Sequence, residues 1–218
     1  MNLSAKLALL VCACALVGCA TVLDEDGALA VAPFRIQSNG QIVIETYVDG
    51  RGPFDFAIDT AASISVISDS TRAEQDFALL PRTQVAIQGF LSSGRFPLVD
   101  IDKFEIGEEI LVNPRVASLP SETNAFRGID GLLGVDLLQR YAIGLSARDR
   151  VVRLYAPELV SGRSYAGWRV IRLRPEYFGK SNAAVYVFDV EIRGQKIPAL
   201  LDLGAGFNLI SAVTAHRL

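Results

Sequence analysis

Two segments of this chain repeat each other, and the repeat limits the folds that the chain can adopt. Residues 47–68 read YVDGRGPFDFAIDTAASISVIS, and residues 190–211 read VEIRGQKIPALLDLGAGFNLIS. The register holds beyond the aspartates, because 202 minus 59 and 211 minus 68 both give 143 positions. Each copy contains a glycine turn, an apolar strand, Asp, a loop of small residues and an apolar strand ending in Ile-Ser. We therefore expect two related lobes.

The pattern of apolar residues predicts a mostly β protein. Short apolar or alternating runs are separated by Gly, Pro, Asp or Ser, and they cover residues 41–48, 54–58, 85–87, 96–101, 110–112, 142–146 and 151–155. The last two runs flank a polar turn at residues 147–150, which predicts a hairpin. Helical periodicity is short, and the candidates are residues 70–77 and 135–141.

The first residues predict export. Lys6 precedes an apolar run that is too short to span a bilayer comfortably, so residues 1–18 are predicted to be a signal peptide. The sequence LVGC ending at Cys19 resembles the bacterial lipobox, which implies acylation of Cys19 and attachment to a membrane. Ala20 after that cysteine implies the outer membrane, facing the periplasm. Cleavage after Ala15, leaving Cys19 as a free thiol, is the alternative.

Composition assigns the remaining boundaries. We expect a lipid-anchored tether at residues 19–34, a first lobe at 35–156, a linker at 157–169 and an incomplete second lobe at 170–218. The formal net charge is -3 and no basic run is present, which argues against nucleic-acid binding. All three cysteines lie at or before Cys19, so no disulfide is expected in the folded body. No metal or nucleotide motif is present, and no cofactor is expected.

Asp59 is the strongest candidate for a catalytic residue. An apolar strand leads into it, and the small residues 60–63 that follow leave room for a tight loop beneath a carboxylate. Two facing carboxylates that share one proton can cleave an amide, because one deprotonates water while the other polarises the carbonyl. Asp202 is the candidate partner in the second copy, although it could instead belong to a lobe that only packs against the first.

The run Asp59-Thr60-Ala61-Ala62-Ser63 resembles the catalytic motif of the retropepsin-like aspartic peptidases. The resemblance implies that Asp59 is catalytic, that the Thr60 hydroxyl bonds across to the opposite loop and that the Ser63 hydroxyl bonds the carboxylate. Ala61 stands where the family has Gly. The implied fold is a closed β-barrel lobe with a flap hairpin and one or two short helices, followed here by a partial second lobe.

Two further features carry the resemblance. The run Gly131-Leu132-Leu133-Gly134 matches the apolar pair and glycine that lie under the catalytic loop in this family. A hairpin between the two motifs fits the flap that closes over substrate. Its tip is expected at Gly89, Phe90, Leu91, Ser92, Ser93 and Gly94.

The second copy matches the motif less completely. Asp202, Gly204 and Ala205 are retained, whereas Leu203 and Gly206 replace the two hydroxyl residues. No second flap and no second apolar-Gly motif occur before the end of the sequence. We expect either a vestigial second lobe or a natural chain that continues further.

Taken together, these features predict an aspartic endopeptidase of the cell envelope that acts on peptide or protein substrates. Asp202 could supply the second carboxylate within one chain, or Asp59 could be contributed twice in a homodimer formed through the first lobe. The alternative function is a catalytically inactive, lipid-anchored peptide-binding module. Ala61, Leu203 and Gly206 are the departures that suggest this alternative.

Overall fold

The computed structural model describes residues 27–88, 93–123, 126–160, 171–177 and 184–218. The predicted signal peptide, Cys19 and the first half of the predicted tether lie outside these residues, as do Gly89 to Ser92 of the predicted flap. Within the described ranges, no helix combines the length and the apolar character that a membrane crossing requires.

The first lobe is built mainly from short strands. They are β1 Ala30–Ile36, β2 Ile42–Val48, β3 Arg51–Ile58, β4 Ser65–Ser68, β5 Leu79–Gln88, β6 Ser93–Val99, β7 Lys103–Ile106, β8 Glu109–Val112, β9 Val116–Leu119, β10 Gly131–Leu133, β11 Ala142–Ser146 and β12 Val151–Tyr155. The helices are α1 Asp69–Glu74, α2 Val135–Leu138 and α3 Pro157–Val160. The prediction of a mostly β fold is confirmed.

All twelve strands form one sheet, with the order β11-β12-β1-β2-β3-β10-β4-β9-β6-β5 and with the β7–β8 hairpin branching from β2. In the described residues, β5 pairs only with β6 and β11 pairs only with β12, so the sheet is open. The prediction of a closed barrel is wrong in this respect. The end strands β5 and β11 are each the outer strand of a hairpin. The β5–β6 hairpin is the predicted flap, and the outer edge of β5 is unpaired in the described residues.

The aspartate loop lies where three central strands meet. β10 runs parallel to β3 and antiparallel to β4, so it fills the space between the strand that enters the loop and the strand that leaves it. Phe56, Ile58 and Leu133 are fully buried there, and the Phe56 ring packs edge-on against Phe104 with centroids 5.0 Å apart. Apolar burial on both faces makes this part of the sheet a rigid support.

The helix α1 begins where the first copy of the repeat ends. Ser68 is its N-cap, and the Ser68 hydroxyl accepts a hydrogen bond from the Thr71 N–H at 3.1 Å. The predicted helices at 70–77 and 135–141 are thus present as α1 and α2, and both end earlier than predicted.

The second copy of the repeat begins within a separate three-stranded sheet. Its strands are β13 Arg174–Tyr177, β14 Ala184–Ile192 and β15 Gln195–Leu200, and the helix α4 Ala212–Arg217 comes last. Phe207 and Leu209 are 72% and 73% exposed, whereas the matching residues Ile64 and Val66 of the first copy are buried. In the first copy, β4 lies between β9 and β10. Among the described residues, no strand pairs with the matching segment of the second copy, which contains Phe207 and Leu209.

Candidate active site

The first aspartate loop holds its carboxylate with main-chain groups. Asp59 directly follows β3, and its own N–H donates to the carbonyl oxygen of Leu133 at 2.9 Å. Its Oδ1 atom accepts hydrogen bonds from the N–H groups of Ala61 and Ala62 at 2.9 and 3.0 Å. Ala61 does not adopt a positive φ angle, so its methyl group costs no backbone strain where the family has glycine.

The second aspartate loop repeats this arrangement. Asp202 Oδ1 accepts hydrogen bonds from the N–H groups of Gly204 and Ala205 at 2.9 and 3.0 Å. The segments also match at their ends, because Ser211 caps α4 through the Thr214 N–H at 3.1 Å, as Ser68 caps α1. The two loops therefore present their carboxylates in the same local geometry.

The structure brings the two loops together within one chain. A Cβ atom built on Gly204 would lie 2.6 Å from Asp59 Cγ and 2.9 Å from each Asp59 carboxylate oxygen. Only glycine fits at this contact. The main chain that follows Asp202 therefore lies directly against the Asp59 carboxylate.

Thr60 joins the two loops through its hydroxyl group. Its Oγ1 atom donates to the carbonyl oxygen of Leu201 at 2.8 Å and accepts from the Leu203 N–H at 2.9 Å. These are the cross-lobe bonds that the resemblance implies for Thr60. The Leu203 side chain cannot return them, and it packs instead against the core of the first lobe.

The role expected for Ser63 needs correction. Among the described residues, the Asp59 carboxylate receives hydrogen bonds from the N–H groups of Ala61 and Ala62 and none from the Ser63 hydroxyl. The two amides already satisfy Oδ1, and the chain at Ser63 is leaving the loop toward β4. The described hydrogen bonds to the Asp59 carboxylate thus come from main-chain N–H groups.

The apolar-Gly motif, Gly131 to Gly134, is hydrogen-bonded to the segment that follows Asp59. Leu132 and Leu133 are buried, and the Gly134 N–H donates to the Ser65 hydroxyl at 2.9 Å. The Val135 N–H donates to the carbonyl oxygen of Ala62 at 2.8 Å. A Cβ atom on Gly134 would lie 2.6 Å from the carbonyl carbon of Ile64, so the loop and the motif touch through their main chains.

Asp136 is a supporting residue that the sequence analysis did not identify. Its Oδ1 atom accepts hydrogen bonds from both the N–H and the hydroxyl of Ser65, each at 2.8 Å. Burial raises the pKa of the Asp136 carboxyl above its ordinary value. Its position two residues after the motif glycine, in the first turn of α2, was the available signal.

A second polar cluster braces the strand that enters the loop. Asp130 accepts from the Asp55 N–H and from the Thr71 hydroxyl, each at 2.8 Å. Its partners lie 75 and 59 positions away, so sequence proximity could not reveal them.

The electrostatics of the site favour a shared proton. Burial, followed by the negative charge of Asp202, raises the pKa of Asp59 to about 6, against the opposing effect of the hydrogen bonds from the Ala61 and Ala62 N–H groups. The Asp202 charge thus favours the protonated form of Asp59, and acid-base hydrolysis of an amide requires one protonated carboxyl group beside an ionised one.

The predicted flap corresponds to the β5–β6 hairpin. Within the described part, Ile87 pairs with Gly94 and Leu79 pairs with Val99 at the base, with a shift of register between Leu79 and Gln84. No group of His, Cys, Asp or Glu side chains in the described ranges is arranged to hold a metal ion.

Residues 44–140 match the family model of the gag-polyprotein putative aspartyl proteases. This segment is a retropepsin-like aspartic peptidase domain. The family prediction is confirmed over the retropepsin-like segment, which contains Asp59, the flap hairpin and Gly134 but ends before Asp202.

One similar solved structure is a retropepsin-like aspartic protease from Rickettsia conorii. It is 16% identical, covers 57% of this chain and 89% of its own chain, and has a TM-score of 0.44. A search of curated proteins found no significant match.

Proposed function

We propose that this chain is an aspartic-type endopeptidase that hydrolyses peptide bonds with water held between Asp59 and Asp202 of a single chain. The observation that carries the proposal is the contact of Gly204 with the Asp59 carboxylate, which places the two aspartate loops face to face. The family match of the first lobe supports a peptide or protein substrate.

The mechanism follows from one proton shared by the pair. Asp59 carries that proton, because its pKa is raised to about 6, and donates a hydrogen bond to the substrate carbonyl oxygen. Asp202 accepts a proton from water while the water oxygen attacks the carbonyl carbon. The tetrahedral intermediate then collapses, the C–N bond breaks and the leaving nitrogen takes the proton that Asp202 accepted from water. The products are an acid and an amine, and the pair again holds one proton.

Comparison of the wild type with Asp59→Asn on a peptide library tests the proposal. Asp102→Asn is the matched control, because Asp102 is an exposed aspartate outside the site. We expect Asp59→Asn to lower kcat by roughly a thousandfold or more and Asp102→Asn to leave it unchanged. Equal cleavage by Asp59→Asn, or no cleavage by the wild type from mildly acidic to neutral pH, would overturn the proposal.

The same samples distinguish the alternatives. A wild type that binds peptides without cutting them, with equal affinity in Asp59→Asn, would indicate the catalytically inactive binding module. Measurement of molecular mass in solution separates the two sources of the second carboxylate. An active monomer supports Asp202, whereas activity confined to a dimer supports Asp59 supplied twice.

Attachment to the cell envelope is part of the proposal and is supported by the lipobox-like run ending at Cys19. Ala20 supports the outer membrane as the destination. Metabolic labelling with a palmitate analogue tests this directly. Label and membrane fractionation should be present in the wild type and absent in Cys19→Ser. A mature protein that begins after Ala15 and carries no lipid would contradict it.

A further inference from the structure

We infer that Gly40 and Gly206 form a positioning pair, through which the turn between β1 and β2 holds the second aspartate loop against Asp59. The inference rests on the proposed function, since it explains how Asp202 reaches its place in the same chain. Neither glycine touches the reacting atoms. Both act through the position of the loop that carries Asp202.

The two glycines meet through their main chains. A Cβ atom on Gly40 would lie 2.5 Å from Gly206 Cα and 2.8 Å from the Gly206 carbonyl oxygen. A Cβ atom on Gly206 would overlap the carbonyl oxygen of Asn39. Real Cβ atoms essentially never approach other heavy atoms closer than 3.0 Å, so any side chain at either position must separate the two segments.

The turn is braced strongly enough to act as a fixed surface. Main-chain bonds of 2.9 Å run from the Gln37 N–H to Gln41 O and from the Gly40 N–H to Gln37 O. The Asn39 side chain donates to Gln41 Oε1 at 2.7 Å and accepts from the Gln41 N–H at 3.1 Å. Gln37 Nε2 also donates to the carbonyl oxygen of Gly128 at 2.7 Å. A turn with this many bonds cannot yield easily to an added methyl group.

The second loop is thereby held at two places. Thr60 binds it beside Asp202, through Leu201 and Leu203, and the turn contacts it at Gly206. Between these two places Gly204 lies against the Asp59 carboxylate. Displacement of Gly206 should therefore move Gly204 and Asp202 away from Asp59.

This contact also changes the interpretation of Gly206 in the sequence. Gly206 stands where the first copy has Ser63, and the missing hydroxyl suggested a second loop without function. The main-chain contact with Asn39 requires glycine at this position. The departure from the motif is thus what the packing of an intact site demands.

Gly206→Ala and Gly40→Ala test the pair, with Gly50→Ala as the matched control. Gly40 and Gly50 both have positive φ angles, +87° and +72°, but nothing lies within 4 Å of a Cβ atom added to Gly50. Gly50→Ala therefore reports backbone strain alone, and no such strain applies at Gly206, whose φ angle is outside the positive region. The readouts are kcat, KM and the titration of the Asp59 carboxyl carbon by NMR.

We expect Gly206→Ala to lower kcat by roughly tenfold or more with a smaller change in KM, because Asp202 is misplaced and the fold of the first lobe is kept. The Asp59 titration should move down from about 6, since its burial and the nearby charge of Asp202 both decrease. Gly40→Ala should act in the same direction. Gly50→Ala should change neither quantity.

A kcat and an Asp59 titration in Gly206→Ala equal to those in Gly50→Ala would overturn the inference. If Gly206→Ala is insoluble, Asn39→Ala replaces it, because it removes the bonds between Asn39 and Gln41 without adding atoms at the contact. Smaller changes in the same direction are then expected, and none at all would count against the pair. The titration needs no substrate, so it tests the pair even if Asp59→Asn shows that the proposed function is wrong.

Discussion

Thr60 donates its hydroxyl hydrogen to the carbonyl oxygen of Leu201 over 2.8 Å, and this bond connects two loops that are 141 positions apart in the chain. Because Thr60 Oγ1 also accepts a hydrogen bond from the Leu203 N–H, a single buried hydroxyl provides both bonds. A symmetric pair of lobes would make these bonds twice. Here the second loop contributes only main-chain atoms to these hydrogen bonds, so both of them depend on the Thr60 hydroxyl.

Thr60→Val should therefore separate the loops, whereas Thr60→Ser should preserve them. Valine keeps the shape but leaves Leu201 O and the Leu203 N–H without their partner, which costs roughly 1 to 3 kcal/mol for each buried group that water cannot reach. We expect a lower free energy of unfolding in urea and a lower kcat for Thr60→Val. Equal stability and activity in the two variants would show that the hydroxyl does not connect the lobes.

Asp202→Asn should abolish activity about as completely as Asp59→Asn, because each carboxylate has one role in a pair that shares a proton. Asp189→Asn is the control from the same lobe, since Asp189 pairs with Arg174 at the surface. The kcat of all three variants provides the measurement. Full activity in Asp202→Asn, together with a dimeric mass, would show that the second carboxylate is Asp59 of another copy of the chain.

The stability of the protein should depend on pH through Asp59. Its pKa is raised from 3.8 to about 6 in the folded state, so the folded protein binds the proton more tightly than the unfolded chain. This contributes stability that is fully present below pH 3.8 and is lost as the pH rises through about 6. The size is roughly 2 to 3 kcal/mol for a shift of about two units.

Urea unfolding at pH 4 and pH 7.5 checks this expectation. Asp59→Asn cannot titrate, so the loss of stability between the two values should be smaller in this variant than in the wild type. Carboxyl groups far from the site contribute equally to both proteins and cancel in the comparison. An identical pH dependence in both would show that the Asp59 pKa is not raised.

Asp136→Ala should destabilise the catalytic loop, whereas Asp136→Asn should largely preserve it. The alanine leaves the N–H and hydroxyl of the fully buried Ser65 without an acceptor, while asparagine retains an oxygen at that place. We expect a loss of roughly 2 kcal/mol in the free energy of unfolding for the alanine variant. The kcat should fall in parallel and return in the asparagine variant. A similar loss in both variants would indicate that the charge, rather than the hydrogen bonds, is required.

Much of the fold could be predicted because its signals are local. The hairpin strands β11 and β12 have the bounds that the apolar runs and polar turn indicated, and Asp59 follows β3 as expected. The two copies match in sequence register, and in both of them the N–H two residues after the aspartate donates a hydrogen bond to the aspartate Oδ1. Alternating burial and turn chemistry act over a few residues, so they can be recognised without knowledge of the partners.

Local patterns in the sequence predict many of the strands, the small-residue loops and the two aspartates, since each depends on neighbours along the chain. Tertiary contacts are needed to explain why the sheet stays open, why Asp136 binds the first loop through Ser65 and why the Asn39–Gly40 turn requires glycine at position 206. These features depend on main chains and side chains that meet from distant positions. Close packing gives such contacts their selectivity, and no pattern within a short segment records which surfaces will meet.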